Sequence, residues 1–374
     1  MIPPLRKGLN ILRARSDIAL RRERATATPQ VAFLEVSNVC NIRCRMCATT
    51  FDPRFQKGTG YTGLMDMGLL DRLEPILPGL WRAYLMGNGE PLLNRNFLDF
   101  VTRLKQRHLE IQFNTNGMLL KPDVSEQLVG LGVDAIAVSM DGADADTFND
   151  IRHGADFDQV TAHIRELNRV KQKHHSEKPR LSLAAVALKD NWMQMPDLVE
   201  MASDLGMVHV HVESLMWQDD PAYQEYYREH SLTGVEDAAL ARLREARRKA
   251  VEYRIGFSSS LLDGRTIDAT GVPQPQFGQI NRRGIPCWEP WTTIFVTWQG
   301  DIHPCCGSEQ IMGNLRDRDI LDIWNGREYR QLRKDMANGA PPEGCLICMK
   351  NQRMKQAIPT IRQALRKLGL WQSL

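Results

Sequence analysis

The sequence contains no apolar run of the roughly 20 residues that a helix needs to cross a bilayer. It is therefore predicted to have no membrane span. Its formal net charge is only +3 over 374 residues, which excludes a uniformly basic nucleic-acid-binding chain. The N-terminus is rich in arginine and lacks the apolar core of a secretory signal peptide. We therefore expect a cytoplasmic protein with no nucleic-acid partner.

The small charge excess is concentrated at the N-terminus, where residues 1–24 contain seven Lys or Arg and two acidic residues. Leu5, Leu9 and Leu12 lie at helical spacing in this segment, so residues 1–29 are predicted to be a basic helical segment. The interpretation that we favour is a helix packed on the domain by its leucines. The alternative is a basic amphipathic helix in weak contact with an anionic lipid surface or an acidic partner.

Cysteine is the informative residue, because eight are present and clustered cysteines in the cytoplasm bind metals more often than they form disulfides. Cys40, Cys44 and Cys47 have C-x3-C-x2-C spacing directly after an apolar run. Three thiolates are one short of a closed tetrahedral zinc site. They suit an iron–sulfur cluster with one iron left open to a small molecule. A zinc knuckle with a distant fourth ligand is the alternative.

Apolar runs alternate with helical patterns from residue 30 to residue 255. This alternation predicts an α/β fold, a partial (βα)6 TIM-like barrel. Residues 256–286 are rich in Ser, Gly, Pro and Gln and are predicted to form a linker or covering loop. Residues 287–374 are predicted to form a small cysteine-rich domain that ends in a C-terminal helix. The six predicted strands are 31–36, 83–86, 111–114, 135–140, 181–188 and 208–212.

Unusual polar residues follow these strands at their C-terminal ends, which is where barrels of this kind place their chemistry. The second strand ends in Gly87-Asn88-Gly89-Glu90-Pro91, the third is followed by Asn116, and the fourth ends in Ser139-Met-Asp141. The structural alternatives are an ordinary turn at residues 87–91 and helix caps at Asn116 and Ser139.

The cysteine loop, the Gly87–Pro91 segment and Ser139–Gly142 together resemble the radical SAM superfamily, over about residues 30–215. The resemblance implies that the three cysteines bind a 4Fe–4S cluster that chelates S-adenosylmethionine (SAM). Reductive cleavage of SAM by an external donor, such as flavodoxin or ferredoxin, then yields a 5′-deoxyadenosyl radical that abstracts a substrate hydrogen. Two residues depart from the family pattern, Met46 where an aromatic residue is usual and Asn88 where the second glycine of the motif is usual. The implied cofactor contacts are Met46, Gly87, Asn88, Gly89, Glu90, Pro91, Asn116, Ser139, Asp141 and Arg152, although Arg152 could equally have a surface role.

The C-terminal cysteines, in the pattern Cys287-x12-Gly300-x4-Cys305 followed by Cys345-x2-Cys348, resemble the SPASM/twitch auxiliary domain. The resemblance implies a second 4Fe–4S cluster fully ligated by Cys287, Cys305, Cys345 and Cys348. Cys306 is the alternative to Cys305, and a structural zinc is the alternative to the cluster.

A fully ligated auxiliary cluster suits electron transfer. We therefore expect oxidation of a polar small molecule, such as a secondary alcohol of a sugar or aminocyclitol, with the cluster taking the second electron. His211, Glu213 and Tyr61 are the candidates for the catalytic base, and either His209 or His211 could be a core histidine instead. Two other functions stay open, modification of a ribosomal peptide or protein and a non-catalytic iron–sulfur or zinc scaffold.

Overall fold

A computed structural model describes residues 3–55, 59–216, 220–262, 266–267, 273–274 and 287–345. The described strands form one sheet in the order β12-β11-β10-β1-β2-β3-β4-β5-β6-β7-β8-β9. Eight consecutive members of this order, β10 and β1 to β7, are parallel. The strands are β1 Val31–Glu35, β2 Arg82–Met86, β3 Glu110–Thr115, β4 Ala135–Ser139, β5 Arg180–Ala187, β6 His209–Ser214, β7 Gly256–Ser259, β8 Thr266–Ile267, β9 Pro273–Gln274, β10 Thr293–Val296, β11 Asp301–His303 and β12 Gly313–Asn314.

Helices connect the parallel strands, as the alternating pattern predicts, and within the described residues the sheet stays an open, partial barrel. The helices are α1 Pro3–Ala19, α2 Ala48–Phe51, α3 Met67–Arg72, α4 Phe97–Gln106, α5 Pro122–Gly130, α6 Ala145–Ile151, α7 Phe157–Lys173, α8 Met195–Asp204, α9 Pro221–His230, α10 Glu236–Glu252, α11 Glu289–Thr292, α12 Ile320–Trp324 and α13 Arg327–Ala337. Among the described residues, no helix has the length and apolar character needed to span a membrane.

All six predicted strands are present. A seventh parallel strand, β7, lies at the start of the predicted linker and pairs with β6. Helices α12 and α13 of the C-terminal segment are separated at Asn325 and Gly326. Cys348 and the predicted C-terminal helix lie outside the described residues.

The cysteine-rich C-terminal segment extends the barrel sheet. Its strand β10 pairs in parallel with β1, with Thr293 opposite Val31 and Val296 opposite Leu34. Strand β11 then runs back antiparallel to β10, with His303 opposite Phe295. The C-terminal segment is therefore joined to the first strand by a continuous ladder of backbone hydrogen bonds.

In β2 to β6 alternate residues are buried and the residues between them are more exposed, whereas β1 and β7 are buried throughout. In β2, for example, Ala83 and Leu85 belong to the hydrophobic core. Arg82 and Tyr84 lie on the opposite face. Because side chains alternate across a strand, this second face lines the lumen of the open barrel. The lumen is therefore largely polar.

Helix α1 forms as predicted, but the prediction that its leucines pack on the domain is wrong for Leu5 and Leu12, whereas Leu9 is partly buried. Leu5 is 49% exposed and Leu12 is 46% exposed, whereas Ile11 is buried. The helix is oriented by polar anchors, since Lys7 Nζ donates to the His108 carbonyl at 2.7 Å and Asn10 Nδ2 donates to the Thr28 carbonyl at 2.9 Å. Contact of this segment with an anionic surface stays a prediction.

Candidate active site

Cys40, Cys44 and Cys47 lie in the loop that follows β1, and each thiol is partly buried. The loop is held by backbone hydrogen bonds, including one from the Arg45 amide to the Ile151 carbonyl at 2.9 Å. Burial is the main cause that raises the pKa of Cys44, to about 12, and the neighbouring Cys47 and Cys40 contribute. A bound metal cation would lower the pKa of Cys44 again, because the thiolate form is the one that ligates metals.

No three His, Cys, Asp or Glu side chains converge tightly enough for a single metal ion anywhere in the described ranges. Cys47 contributes to the raised pKa of both Cys40 and Cys44, so the three thiols lie close enough together to ligate one cluster of several irons.

Arg152 lies against this loop instead of on the surface. Its Nη1 donates to Cys44 Sγ at 3.7 Å, and its Nε lies 2.7 Å from Asp141 Oδ2. At this distance the two oppositely charged groups form an ion pair. Both residues are buried, and Asp141 also accepts a hydrogen bond from the Val186 amide at 2.6 Å. The structure thus brings together two of the predicted cofactor residues and one cysteine.

Glu90 ties the end of β2 to the end of β3. Its buried carboxylate accepts hydrogen bonds from Thr115 Oγ1 at 2.8 Å, from the Asn116 amide at 2.8 Å and from the Leu92 amide at 3.2 Å. Burial raises the pKa of this carboxyl, and the hydrogen bonds oppose that shift. The Asn116 side chain continues the network toward the cysteine loop, since its Nδ2 lies 3.8 Å from Cys40 Sγ.

Gly87 and Gly89 allow the Gly87–Pro91 segment to pack directly on the cysteine loop. A Cβ on Gly89 would lie inside van der Waals contact of the Val39 carbonyl oxygen, and one on Gly87 would clash with Glu35. Pro91 begins a short helical turn after Glu90. Glycine is therefore required here by the protein's own backbone.

Glu35, at the end of β1, is a site residue that the sequence reasoning missed. Its Oε1 accepts hydrogen bonds from the Asn88 amide at 3.3 Å and Asn88 Nδ2 at 3.2 Å. Its Oε2 accepts one from the Trp298 amide at 3.4 Å, which links the motif to the C-terminal segment. The sequence did contain a signal for it, because Glu35 is a carboxylate at the end of an otherwise apolar strand.

Two further predicted cofactor residues lie near the same end of the barrel. Met46 is buried in a small apolar cluster with Ile151 and Tyr223. Ser139 is partly buried at the end of β4, where it pairs with Ala184. Neither position tests the predicted contact with a cofactor.

The three candidate bases are in two places. His211 and Glu213 lie on the lumen face of β6, where His211 Nε2 and Glu213 Oε1 are 2.5 Å apart. Tyr61 lies in the loop after the cysteines, with its ring packed edge-on against Phe55 and under the Arg54 guanidinium. Burial raises the pKa of Tyr61.

Cys305 lies at the other end of the lumen, and Cys287 is close enough to contribute to its raised pKa. Cys305 follows β11, which runs back along β10, so Cys305 is level with the start of β1. Burial raises the pKa of Cys305 well above its usual value, with smaller contributions from Glu289, Cys306 and Cys287. Since β1 has five residues and rises about 3.3 Å per residue, roughly 15 Å of lumen separates the first cysteine loop from Cys305.

A concavity of about 980 Å³ lies away from both cysteine sets, beside the N-terminal ends of β5 and β6, and includes Arg165, Arg169 and Arg180. Because barrel chemistry occurs at the opposite strand ends, we do not assign it to the active site.

Comparison with known proteins gives two family matches. Residues 34–202 match the radical SAM superfamily, and residues 287–349 match an iron–sulfur cluster-binding domain named SPASM. The chain is 25% identical over 334 residues to the tungsten-containing aldehyde ferredoxin oxidoreductase cofactor-modifying protein of Pyrococcus furiosus, covering 84% of this chain and 86% of that protein. It is 24% identical over 339 residues to the PqqA peptide cyclase of Xanthomonas campestris, covering 87% and 80%. Streptococcus suis SuiB bound to its precursor peptide SuiA shares the fold, with a TM-score of 0.62, 15% identity and coverage of 92% and 78%.

Proposed function

Since the chain is a radical SAM protein with a C-terminal SPASM domain, we propose that it oxidatively modifies a peptide substrate in the lumen of its barrel. The modification begins with abstraction of a substrate hydrogen atom. An external one-electron donor, such as flavodoxin or ferredoxin, would supply the electron that cleaves SAM.

The two domains imply a 4Fe–4S cluster, auxiliary iron–sulfur ligation and SAM. Cys40, Cys44 and Cys47 would hold the first cluster, and Cys287 and Cys305 would contribute to the auxiliary one. When bound, these groups supply the hydrogen-abstracting radical and an acceptor for one electron. The chain's own residues orient the site, because Glu90 ties two strand ends together and Arg152 contacts Cys44.

The observation that carries the proposal is the position of the first cysteine loop and of Cys305, with Cys287 near it, at opposite ends of one polar lumen. A substrate in this lumen lies between the site of hydrogen abstraction and the electron acceptor. Oxidation of a substrate radical needs both an electron acceptor and a proton acceptor. His211 and Glu213 line the same lumen, and we assign the proton-accepting role to them in preference to Tyr61.

A peptide is favoured over the sugar or aminocyclitol alcohol that the sequence led us to expect. The PqqA peptide cyclase is related over 87% of this chain, and its name gives its substrate as a peptide. The lumen belongs to an open sheet in the described structure, which would let an extended chain enter from the side. Peptide modification therefore replaces alcohol oxidation as our main hypothesis.

The test uses anaerobically reconstituted protein with SAM and dithionite, and it measures 5′-deoxyadenosine. An extract of the source organism is divided into a peptide fraction and a fraction of metabolites below about 500 Da. We expect only the peptide fraction to raise deoxyadenosine formation above the substrate-free rate, because only it contains the substrate. Treatment of that fraction with protease should remove the effect.

Cys40→Ala is the control, since loss of a cluster ligand should abolish deoxyadenosine formation with and without extract. Stimulation by the metabolite fraction that survives protease would reject the peptide hypothesis in favour of the alcohol. If the intact protein formed no deoxyadenosine under any condition, the hypothesis that it is a radical SAM enzyme would be rejected.

A further inference from the structure

Helix α1 presents a side to solvent that combines leucine with arginine. Leu5 is 49% exposed, Leu12 is 46% exposed, and Leu20, which directly follows the helix, is 61% exposed. Arg6 and Arg13 are exposed as well. Because single exposed leucines are common on protein surfaces, what matters is whether these side chains share one direction.

The helical repeat places the three leucines along one line. An α-helix turns by about 100° per residue, so Leu5 and Leu12, seven residues apart, point within roughly 20° of each other. The Leu20 amide donates to the Ser16 carbonyl at 2.9 Å. This bond continues the helical geometry and places Leu20 about 60° from the direction of Leu5. Leu5, Leu12 and Leu20 therefore form a leucine stripe on the outer side of the helix.

Positive charge lies directly beside the leucine stripe. Arg6 and Arg13 each follow a leucine and are rotated from it by about 100°, so both guanidinium groups lie along one side of the stripe. The one acidic residue of α1, Asp17, is buried, where it accepts hydrogen bonds from the Thr26 and Ala27 amides at 2.7 Å and 2.9 Å. Within residues 5–19, the exposed side of α1 is therefore apolar and positively charged.

The inner side of α1 is fixed to the barrel. Ile11 is buried there, Lys7 Nζ donates to the His108 carbonyl at 2.7 Å, and Asn10 Nδ2 donates to the Gly79 carbonyl at 3.1 Å. His108 precedes β3 and Gly79 precedes β2, so α1 lies across the N-terminal ends of these strands. The first cysteine loop follows the C-terminal end of the parallel strand β1. The leucine stripe therefore faces away from the barrel, on the side opposite to the candidate active site.

We propose that α1 binds the surface of an anionic lipid bilayer through the leucine stripe together with Arg6 and Arg13. A helix of this kind lies in the plane of the interface, with its apolar side chains inserted below the headgroups. The arginine side chains are long enough to reach the headgroups while the neighbouring leucines are inserted. This inference does not depend on the proposed function. The bound protein would keep the mouth of the barrel directed away from the bilayer.

The combination of leucine and arginine favours a bilayer over a protein partner. A second copy of the chain would bring two positively charged helices together, and like charges repel. An acidic protein surface would pair with the arginines but would leave the leucines against polar groups. A bilayer of anionic lipids suits both residue types, because the buried apolar area and the attraction of the headgroups both contribute to binding.

The test is flotation of the full-length, anaerobically reconstituted protein with lipid vesicles. One set of vesicles contains phosphatidylcholine with about 30% phosphatidylglycerol, and the other contains phosphatidylcholine alone. We expect the partition coefficient for the anionic set to be roughly 25-fold higher, because each of the two arginines contributes about fivefold near an anionic surface. Raising NaCl from about 50 mM to about 500 mM should reduce this difference, because salt screens the charges.

The leucine stripe is tested with Leu12→Ser. We expect this variant to lower the partition coefficient for anionic vesicles about fivefold, because the exposed half of the leucine side chain no longer gains from insertion. Leu321→Ser is the matched control, since Leu321 is also 46% exposed but belongs to α12. It should bind as the wild type.

The arginines are tested with the double variant Arg6→Gln and Arg13→Gln. We expect it to lower the partition coefficient for anionic vesicles roughly 25-fold. The matched control is Arg244→Gln with Arg248→Gln, which removes the same charge from exposed positions of α10. This control should stay close to the wild type. Substrate-free deoxyadenosine formation should be the same in all variants, because none of these residues lies near the first cysteine loop.

Three results would overturn the proposal. The first is the absence of wild-type binding to anionic vesicles, and the second is equal binding to both vesicle sets. The third is binding that Leu12→Ser and the double arginine variant leave unchanged. Light scattering without lipid examines the other occupant. A dimer of the wild type that Leu12→Ser dissociates would assign the leucine stripe to a second copy of the chain and overturn the lipid proposal.

Discussion

At the scale of single residues, His209 makes folding stability depend on pH. Burial lowers its pKa from 6.5 to about 4, so between these values the unfolded chain binds a proton that the folded chain does not. Stability must therefore rise with pH across this window and fall as the pH drops below 6.5. At pH 5 the loss relative to pH 7.5 should be about 2 kcal/mol.

His209→Gln should remove this dependence. When the pH falls from 7.5 to 5, we expect the unfolding free energy of the wild type to fall by about 2 kcal/mol more than that of the variant. Anaerobic urea unfolding measures both. Ser182→Ala should give an offset that is constant with pH. A constant offset for His209→Gln as well would mean that the buried imidazole is protonated normally.

The buried ion pair between Arg152 and Asp141 is a second place where single residues affect folding stability. Arg152→Met would leave the Asp141 carboxylate buried without its cation, and we expect it to lower the unfolding free energy by about 3–5 kcal/mol. The double variant Asp141→Asn with Arg152→Met should recover most of this loss, because it removes the unpaired charge. Equal losses in the single and double variants, measured by urea unfolding, would contradict the ion pair.

At the scale of elements, the loop after β2 and the loop after β1 form one unit. Gly89→Ala would push the Gly87–Pro91 segment off the Val39 carbonyl. Because that carbonyl belongs to the cysteine loop, we expect the variant to retain less iron at the first cluster after reconstitution. The measurement is iron per chain together with deoxyadenosine formation. Gly130→Ala is the matched control, since its Cβ would meet no atom within 4 Å, and it should behave as wild type.

At the scale of the whole molecule, the C-terminal segment holds the stretch between α1 and β1 in place. Trp324 Nε1 donates to the Ala27 carbonyl at 2.7 Å, Trp291 Nε1 donates to the Arg22 carbonyl at 2.7 Å, and Arg333 Nη1 donates to the Glu23 carbonyl at 3.2 Å. Chain segments roughly 300 residues apart are therefore one folding unit.

Trp324→Phe keeps an aromatic ring but leaves the Ala27 carbonyl without its donor. We expect it to lower the unfolding free energy by about 1–3 kcal/mol, and the loss should appear in one cooperative transition because the two segments unfold together. Leu321→Ala, at an exposed position of the same helix, should change stability by less than about 0.5 kcal/mol. A second, separate unfolding transition in Trp324→Phe would contradict the single unit.

The iron content tests the cluster assignment for the whole chain. Two 4Fe–4S clusters correspond to about eight irons per chain, and Cys40→Ala should reduce the count to about four. Cys306→Ala should leave it unchanged if Cys305 is the ligand, as the resemblance implies. A count of about four irons in the intact protein would contradict the auxiliary cluster. A lower iron count in Cys306→Ala would identify Cys306, and not Cys305, as the ligand.

The sequence by itself determined the cysteine loop, the six alternating strands and the polar residues at their ends. These features depend on covalent spacing and local periodicity, which a linear sequence contains in full. For this reason the Gly87–Pro91 segment, Asn116 and Asp141 are identifiable from the order of residues alone.

Only the tertiary structure decided which of these residues meet. It brings Ser258 to His211 from 47 residues away, aligns β10 with β1 and places Arg152 on Cys44. It also exposes Leu5 and Leu12 of α1, whereas Ile11 is buried and Lys7 and Asn10 bond to backbone carbonyls of the domain. Strand register, burial and hydrogen-bond pairing between distant segments are properties of the folded chain, and no local pattern encodes them.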